Sequence, residues 1–412
     1  QREQHPGNLM IRILFVDDDQ RILDGLENLL RRQRGKWDMV FARGGEAGMT
    51  ALDKGPFDVV VSDMRMPKVD GATLLARVQE QYPNAIRIVL SGQTDRNTAM
   101  RVVFSAHQFI SKPCSPGVIE KVIDRAAALR RLLTSTEVRQ VISKIGRLPS
   151  IPRLHAALTR LVREPTTTPA DVARLLIQDP AMVAKILQLV NSAFFGIARS
   201  ITRVDDAVIC LGLETIKALA LSIELFTSRG QAHESFSIDR LQRHSLLTGL
   251  LARQICDRRE AEQAFTAGLL HDVGLLIIAD QLPGVFSSVV ARMTNEDLPM
   301  YEAEGRAYGV SHAEIGGYLL GLWGLPDPIV EAVTRHHRPP RIADGKVDSV
   351  AAVHLADALS HECSNPTNPV AGARYDALDL SYLAALGLET KVEQWRRIAA
   401  QLLDATDKEG DA

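Results

Sequence analysis

The chain has 412 residues, room for two or three domains and a sizeable core. Its 48 basic and 50 acidic residues nearly cancel, which argues against a broad nucleic-acid or membrane-surface footprint. Cys114, Cys210, Cys256 and Cys363 lie far apart with no CxxC, so neither a zinc ribbon nor a disulfide framework is indicated and a reducing cytoplasm is expected. No apolar run approaches the roughly 20 residues that a membrane helix needs, and no signal-peptide pattern opens the chain. The first eight residues, QREQHPGN, are polar and expected to be disordered.

From residue 9 to about 130, short apolar runs alternate with helical patterns. Ile13–Val16, Trp37–Ala42, Phe57–Ser62, Arg87–Leu90 and Gln108–Ser111 read as strands. Ile22, Leu23, Leu26, Leu29 and Leu30 mark one amphipathic helix between them, and Leu74, Leu75 and Val78 another. Regular βα alternation predicts a doubly wound parallel sheet. Asp17 and Asp18 close the first strand, Asp63 the third, Ser91 the fourth and Lys112 the fifth, and in such a sheet these ends share one crevice. Alone, Asp63 could merely cap a loop; its partners give it a chemistry. Clustered carboxylates repel unless a cation neutralises them, and hard oxygen ligands suit Mg²⁺. A carboxylate beside Mg²⁺ can attack a phosphoryl donor, with Ser91 and Lys112 placed to meet the new phosphoryl oxygens.

The motifs VDDD (Val16–Asp19), SDMRMP (Ser62–Pro67), LSG (Leu90–Gly92) and SKP (Ser111–Pro113) occur in the order found in response-regulator receiver domains, which residues 9–129 resemble. That resemblance implies a flavodoxin-like α/β fold, with Asp63 as phosphoacceptor and Asp17, Asp18, Asp63 and the Arg65 carbonyl holding Mg²⁺. It also implies Ser91, Phe109 and Lys112 as switch residues, a cis bond at Lys112–Pro113, and a cognate histidine kinase as partner.

Apolar residues continue at helical spacing from Val118 through Leu133 and resume at Val138, Val141, Ile142 and Ile145. Residues 130–147 read as a helical linker. Two readings stand: one long helix that transmits the switch or pairs with a second chain, or two helices broken near Thr134–Thr136.

Residues 148–230 show helical patterns punctuated by proline, with Asp179-Pro180 as a helix start. Asn191 and Ser192 read as a structural helix end, with a polar surface site as the alternative. LPSIP (Leu148–Pro152), QDPAMVAKIL (Gln178–Leu187), VNSAFFG (Val190–Gly196) and AVICLGLETIK (Ala207–Lys217) resemble the HDOD domain, an all-α, HD-related output module of bacterial signalling proteins. The similarity spans about 148–403, with an HD-like half from 236. Beyond Leu403 a polar tail is expected to be disordered.

In that half His244, His271-Asp272, His312, His336-His337 and Asp357 follow one another on apolar helical patterns. Imidazole and carboxylate ligands suit Fe, Mn or Zn, and two such ions about 3.5–4 Å apart can clamp a phosphoester. The order resembles the ligand series of HD-type phosphohydrolases, among them the HD-GYP enzymes that cleave cyclic di-GMP. The departures are Leu275 in place of a lysine after HDVG, Arg240 where some enzymes place a glutamate, and RPPR (Arg338–Arg341) with no GYP element. His233, His354 and His361 are read as structural, and Trp323 and Pro326 as helix-end packing.

The expected protein is a cytoplasmic two-component response regulator: a receiver joined to an HDOD module that binds a protein or nucleotide ligand. Homodimerisation through the linker helix is possible; neither DNA nor membrane is an expected partner. The alternative is a metal-dependent phosphohydrolase regulated by the receiver.

Overall fold

The apolar runs of the first 112 residues become a parallel sheet because they are rich in β-branched and aromatic residues that a doubly covered sheet buries. In the computed structural model β1 (Ile11–Asp17), β2 (Trp37–Arg43), β3 (Val59–Asp63), β4 (Ile86–Gly92) and β5 (Gln108–Lys112) lie in the order β2-β1-β3-β4-β5. All neighbours are parallel, with Ile13 opposite Val59 and Val89 opposite Phe109. The sheet runs as sequence reasoning expects, except that β3 begins at Val59 and leaves Phe57 as a buried residue ahead of it. The structure describes residues 10–92, 105–129, 136–145, 148–149, 152–164, 166–191, 200–216, 235–340, 346–363, 370, 375 and 378–410. For Ser91, Gly92, Pro116, Thr136, Glu137, Lys144, Pro152 and residues 407–410 only the backbone is described. The N-terminal tail expected to be disordered, Ser192 to Gly196, His233, Arg341 and Thr134 lie outside these residues.

Helices α1 (Gln20–Leu29), α2 (Gly45–Asp53), α3 (Gly71–Gln81) and α4 (Pro116–Leu129) cover the sheet. Asp19 caps α1 by accepting the Arg21 N–H, and Asp70 caps α3 by accepting the Thr73 N–H. The linker forms α5 (Thr136–Lys144). It does not continue α4 in a straight line. Leu129 abuts Gly321, whose neighbour Leu322 is bonded by Gln108, while the Ser143 carbonyl is bonded by Arg87 beside His107. Both ends therefore meet the start of β5, whereas an unbroken helix would carry Ser143 about 21 Å beyond Leu129. The apolar face of α5, Val138 and Ile142, is buried against its own chain, so it is not presented to a second copy.

The rest is helical: α6 (Pro152–Leu161), α7 (Pro169–Leu176), α8 (Pro180–Val190), α9 (Val204–Leu211), α10 (Ile238–Ile255), α11 (Ala261–Leu270), α12 (Val273–Gln281), α13 (Pro283–Glu296), α14 (Met300–Tyr308), α15 (His312–Leu322), α16 (Asp327–Arg335), α17 (Ser349–Cys363), α18 (Leu380–Leu386) and α19 (Val392–Gly410). Asp179 caps α8 through the Ala181 and Met182 N–H groups. Asn191 closes α8, accepting the Ile201 N–H at 2.7 Å and donating to the Leu187 and Ile201 carbonyls, so it is a structural helix end. α19 runs to Gly410, past Leu403 where a disordered tail was expected to begin; Asp404 to Glu409 contain no helix breaker and continue the last turns. No single described helix is long and apolar enough to cross a membrane; α11–α12 with α13 pass such a test only as a pair bent by 114°.

Candidate functional site

Asp17, Asp63 and Lys112 converge because β1, β3 and β5 end at the same edge of the sheet. The Lys112 ammonium donates to Asp17 Oδ2 at 2.6 Å and to a carboxylate oxygen of Asp63. The Arg65 N–H holds Asp63 Oδ2 at 2.8 Å, and the Asp19 N–H holds Asp17 Oδ1 at 3.1 Å. Asp17 and Asp63 are buried, while Asp18 lies exposed beside them in sequence. Burial pushes the Asp63 carboxyl above its usual range, against the pull of Lys112. Gly71 is required here: a Cβ would sit 2.1 Å from the Asp63 carbonyl oxygen, so only glycine lets the loop after β3 close so tightly. The Lys112–Pro113 bond is cis, as the motif implied. Phe109 is buried on β5, and Ser91, whose side chain is not described, pairs with Ser111 at the end of β4. Two buried carboxylates and a third beside them form a hard-oxygen donor set that fits Mg²⁺.

The second constellation is deeper. His244 comes from α10, His271 and Asp272 from the corner between α11 and α12, His312 from the first turn of α15, His336 and His337 from the end of α16, and Asp357 from the middle of α17. Every expected ligand is in one cluster. Asp272 joins its two halves: Oδ2 lies 3.3 Å from His271 Nε2, and Oδ1 lies 3.2 Å from His312 Nε2. Asp357 Oδ1 lies 3.0 Å from His244 Nε2 and 3.4 Å from His271 Nε2, and His337 Nε2 lies 2.9 Å from His312 Nε2.

Groups behind the imidazoles aim them. His271 Nδ1–H donates to the Gly268 carbonyl and His336 Nδ1–H to that of Val333, both at 2.7 Å, which turns each Nε2 toward the cluster. His336 Nε2 is buried with no hydrogen-bond partner. His312 Nδ1 lies 2.8 Å from Glu304 Oε2, which also accepts the His312 N–H at 2.7 Å. The electrostatics split accordingly. Burial, then neighbouring histidines, push His244 down to about 4 and His336 down to about 3. At His312 burial is overcome by Glu304 and Asp272, which push it up to about 10. Burial likewise opposes the charge on His271, yet Asp272 and Asp357 hold it well above the usual imidazole range. Without metal the cluster thus holds protons where a cation would stand. An orphaned, aimed Nε2 and an N/O donor set fit Fe, Mn or Zn.

Glu304 and His361 escaped sequence reasoning. Glu304 lies on α14, a different helix from His312, so no periodicity links them. His361 had a usable signal: it follows Asp357 by four residues on one helix, and its Nε2 lies 3.1 Å from Asp357 Oδ1. His361, read from sequence as structural, thus lies against the cluster, while His354, read the same way, is bonded through Nδ1 to the His336 carbonyl. Leu275, Pro299, Met300, Tyr301 and Tyr375 line the mouth of the cluster, where only about 10 Å³ remains free. That is room for one water or ion.

Residues 13–124 match the response regulator receiver domain, and residues 148–339 match the HDOD domain. The chain joins a response regulator receiver domain to an HDOD domain. An uncharacterized protein of Treponema pallidum is 25% identical over 297 residues, 70% of this chain and 56% of that one. Response regulator GtcR of Aneurinibacillus migulanus is 30% identical over 125 residues, covering 30% of this chain and 50% of its own. The chain thus spans about half the length of these curated relatives. Among solved structures, the MmoQ response regulator of Methylococcus capsulatus is 24% identical with TM-score 0.48, covering 61% of this chain and 98% of that one. An HDOD domain protein of Geobacter sulfurreducens is 25% identical with TM-score 0.36, covering 71% and 96%. The receiver implies a phosphodonor such as a histidine kinase.

Proposed function

We propose that phosphorylation of Asp63 controls the HDOD module through the helical hairpin α15–α16, and that the module acts by binding a protein or nucleotide ligand. The observation that carries this reading is that both helices reach from the histidine cluster to the receiver, which they meet at the start of β5 and along α4. α15 begins with His312 in the histidine cluster; about 15 Å on, its Leu322 carbonyl accepts from Gln108 of β5 at 3.1 Å. α16 starts with Asp327, 3.1 Å from Arg125 of α4, and ends in His336-His337. Gly321 provides the space into which Leu129 of α4 packs.

In this mechanism an Asp63 carboxylate oxygen forms a bond to phosphorus as the bond to the donor's leaving group breaks. Mg²⁺ held by Asp17, Asp18, Asp63 and the Arg65 carbonyl would neutralise the charge gathered there. The Lys112 ammonium, now shared by Asp17 and Asp63, turns to the phosphoryl oxygens, and Ser91 donates to another. Moving Lys112 and Phe109 on β5 shifts Gln108 at its other end, and with it the Leu322 end of α15. The population of HDOD conformers follows.

The clustered histidines with Asp272 and Asp357 would hold Fe, Mn or Zn. Leu275 occupies the mouth where HD-type hydrolases carry a lysine, and the small free volume favours a ligand that engages the surface over a phosphodiester that enters. The free cysteines accord with a cytoplasmic setting. The test is labelling of the full chain by a small phosphodonor. Wild type is labelled and Asp63→Asn is not; persistent labelling of that variant sinks the assignment.

A further inference from the structure

His361 lies outside the ligand series of HD-type enzymes, yet its imidazole enters the centre. Three Nε2 atoms surround one carboxylate oxygen: His244 at 3.0 Å, His361 at 3.1 Å and His271 at 3.4 Å from Asp357 Oδ1. All four residues are buried, His361 the least so at 8% exposure. The ring is clamped on both faces, stacked on His244 at 4.1 Å and on Tyr375 at 3.6 Å. Its position on α17, one turn after Asp357, makes the two side chains leave the helix on the same face. Imidazoles crowded this closely around one oxygen are a donor set for a cation.

We propose that His361 is a metal ligand, and that His244, His271, His361 and Asp357 form a four-ligand site for a borderline transition cation. The proposal rests on the reading of the histidine cluster as a metal centre. One half offers three imidazoles and a carboxylate, the ligand number of structural sites. The other half, His312, His336 and His337 with Asp272, offers the same donor types, and residues of both halves line the pocket, Asp272, His312 and His337 from one and Asp357 and His361 from the other. The alternative role for His361 is that of an outer partner, donating Nε2–H to Asp357 and only orienting it.

The experiment titrates the metal-free full chain with Co²⁺ and follows the visible absorption of the bound ion alongside metal content by elemental analysis. Wild type, His361→Ala, His361→Gln and His312→Ala are compared, with far-ultraviolet circular dichroism to establish that each is folded. The expected result is more than about 100-fold weaker binding of one equivalent in both His361 variants, with an altered absorption band. His312→Ala should spare that equivalent and lose the other. Losing an outer partner costs about 10–100-fold; weakening within that range, or none, with an unchanged band overturns the assignment of His361. Failure of wild type to bind Co²⁺ at all would instead remove the metal centre itself, which separates the two conclusions. Should one His361 variant not fold, the other carries the same comparison.

Discussion

Replacing Gly274 with alanine would place a Cβ 2.0 Å from the His312 carbonyl oxygen, 2.7 Å from its carbon and 3.0 Å from its Cα. These are backbone atoms, so no rotamer change relieves them. α12 and α15 have to part by about 1 Å to reach tolerable contact. Gly316 leaves the same contact bare from the other side, with the Gly274 nitrogen 3.1 Å from where its Cβ would be. Overpacking of this kind costs about 1–3 kcal/mol, offset by about 1 kcal/mol of improved helix propensity. Gly305, exposed on α14 with nothing near its missing Cβ, is the control and should gain up to about 1 kcal/mol as alanine. Denaturant unfolding should therefore separate the two variants by the overpacking cost, about 1–3 kcal/mol. The same displacement carries His312 Nε2 from 3.2 Å to roughly 4 Å from Asp272 Oδ1. Co²⁺ bound by the His312 half of the centre should weaken at least tenfold while phosphoryl labelling of Asp63 persists. If Gly274→Ala matched Gly305→Ala in stability and wild type in metal affinity, the close approach of these helices would not be what sets the site.

Gly71→Ala pushes on the Asp63 carbonyl at 2.1 Å and should lower the rate of phosphoryl labelling at least tenfold with α10–α17 undisturbed, as measured by labelling and metal content together. Arg87 is buried on β4, where burial pushes its guanidinium down to about 9; it donates to the Ser105, Ala85 and Ser143 carbonyls, the last at the end of α5. Arg87→Met should cost about 2 kcal/mol and release α5 to proteolysis, the lost charged hydrogen bonds outweighing the relief of burying a cation. His107 faces Arg87, the Ser143 carbonyl and, at longer range, Lys185, and burial followed by those cations holds its pKa well below the usual value. Below about pH 6.5 the unfolded chain takes a proton that the native His107 refuses, so its contribution is present above that pH and lost as pH falls, by up to about 1.4 kcal/mol per unit. Unfolding at pH 7.5, 6.5 and 5.5 should show a shallower acid loss in His107→Gln; equal slopes would refute the role of His107.

The receiver was legible almost to the residue because its chemistry sits at strand ends, and β-branched runs such as Val59–Val61 announce where strands stop. The clustered histidines were legible as an ordered set, although nothing local says that α10, α11, α15, α16 and α17 meet. Glu304 was hidden because its tie to His312 depends on the packing of two helices. His361 was hidden differently: its i+4 relation to Asp357 was present, but a helix of buried residues carries no polar face to draw attention to it. The joint between the halves was unreadable. Gln108, Arg125 and Gly321 look like ordinary sheet, helix and helix-end residues, and only the docking of α15 and α16 on the receiver gives them a role. The linker pattern likewise could not reveal that α5 turns back to meet Arg87.

The most direct test of the account is hydrogen–deuterium exchange of the full chain with and without a small phosphodonor and Mg²⁺, in wild type and Asp63→Asn. Phosphorylation should change exchange in residues 312–322 and 327–335, together with β5, in wild type alone. A response confined to the receiver, with α15 and α16 unchanged, would contradict the claim that the hairpin carries the signal to the histidine centre.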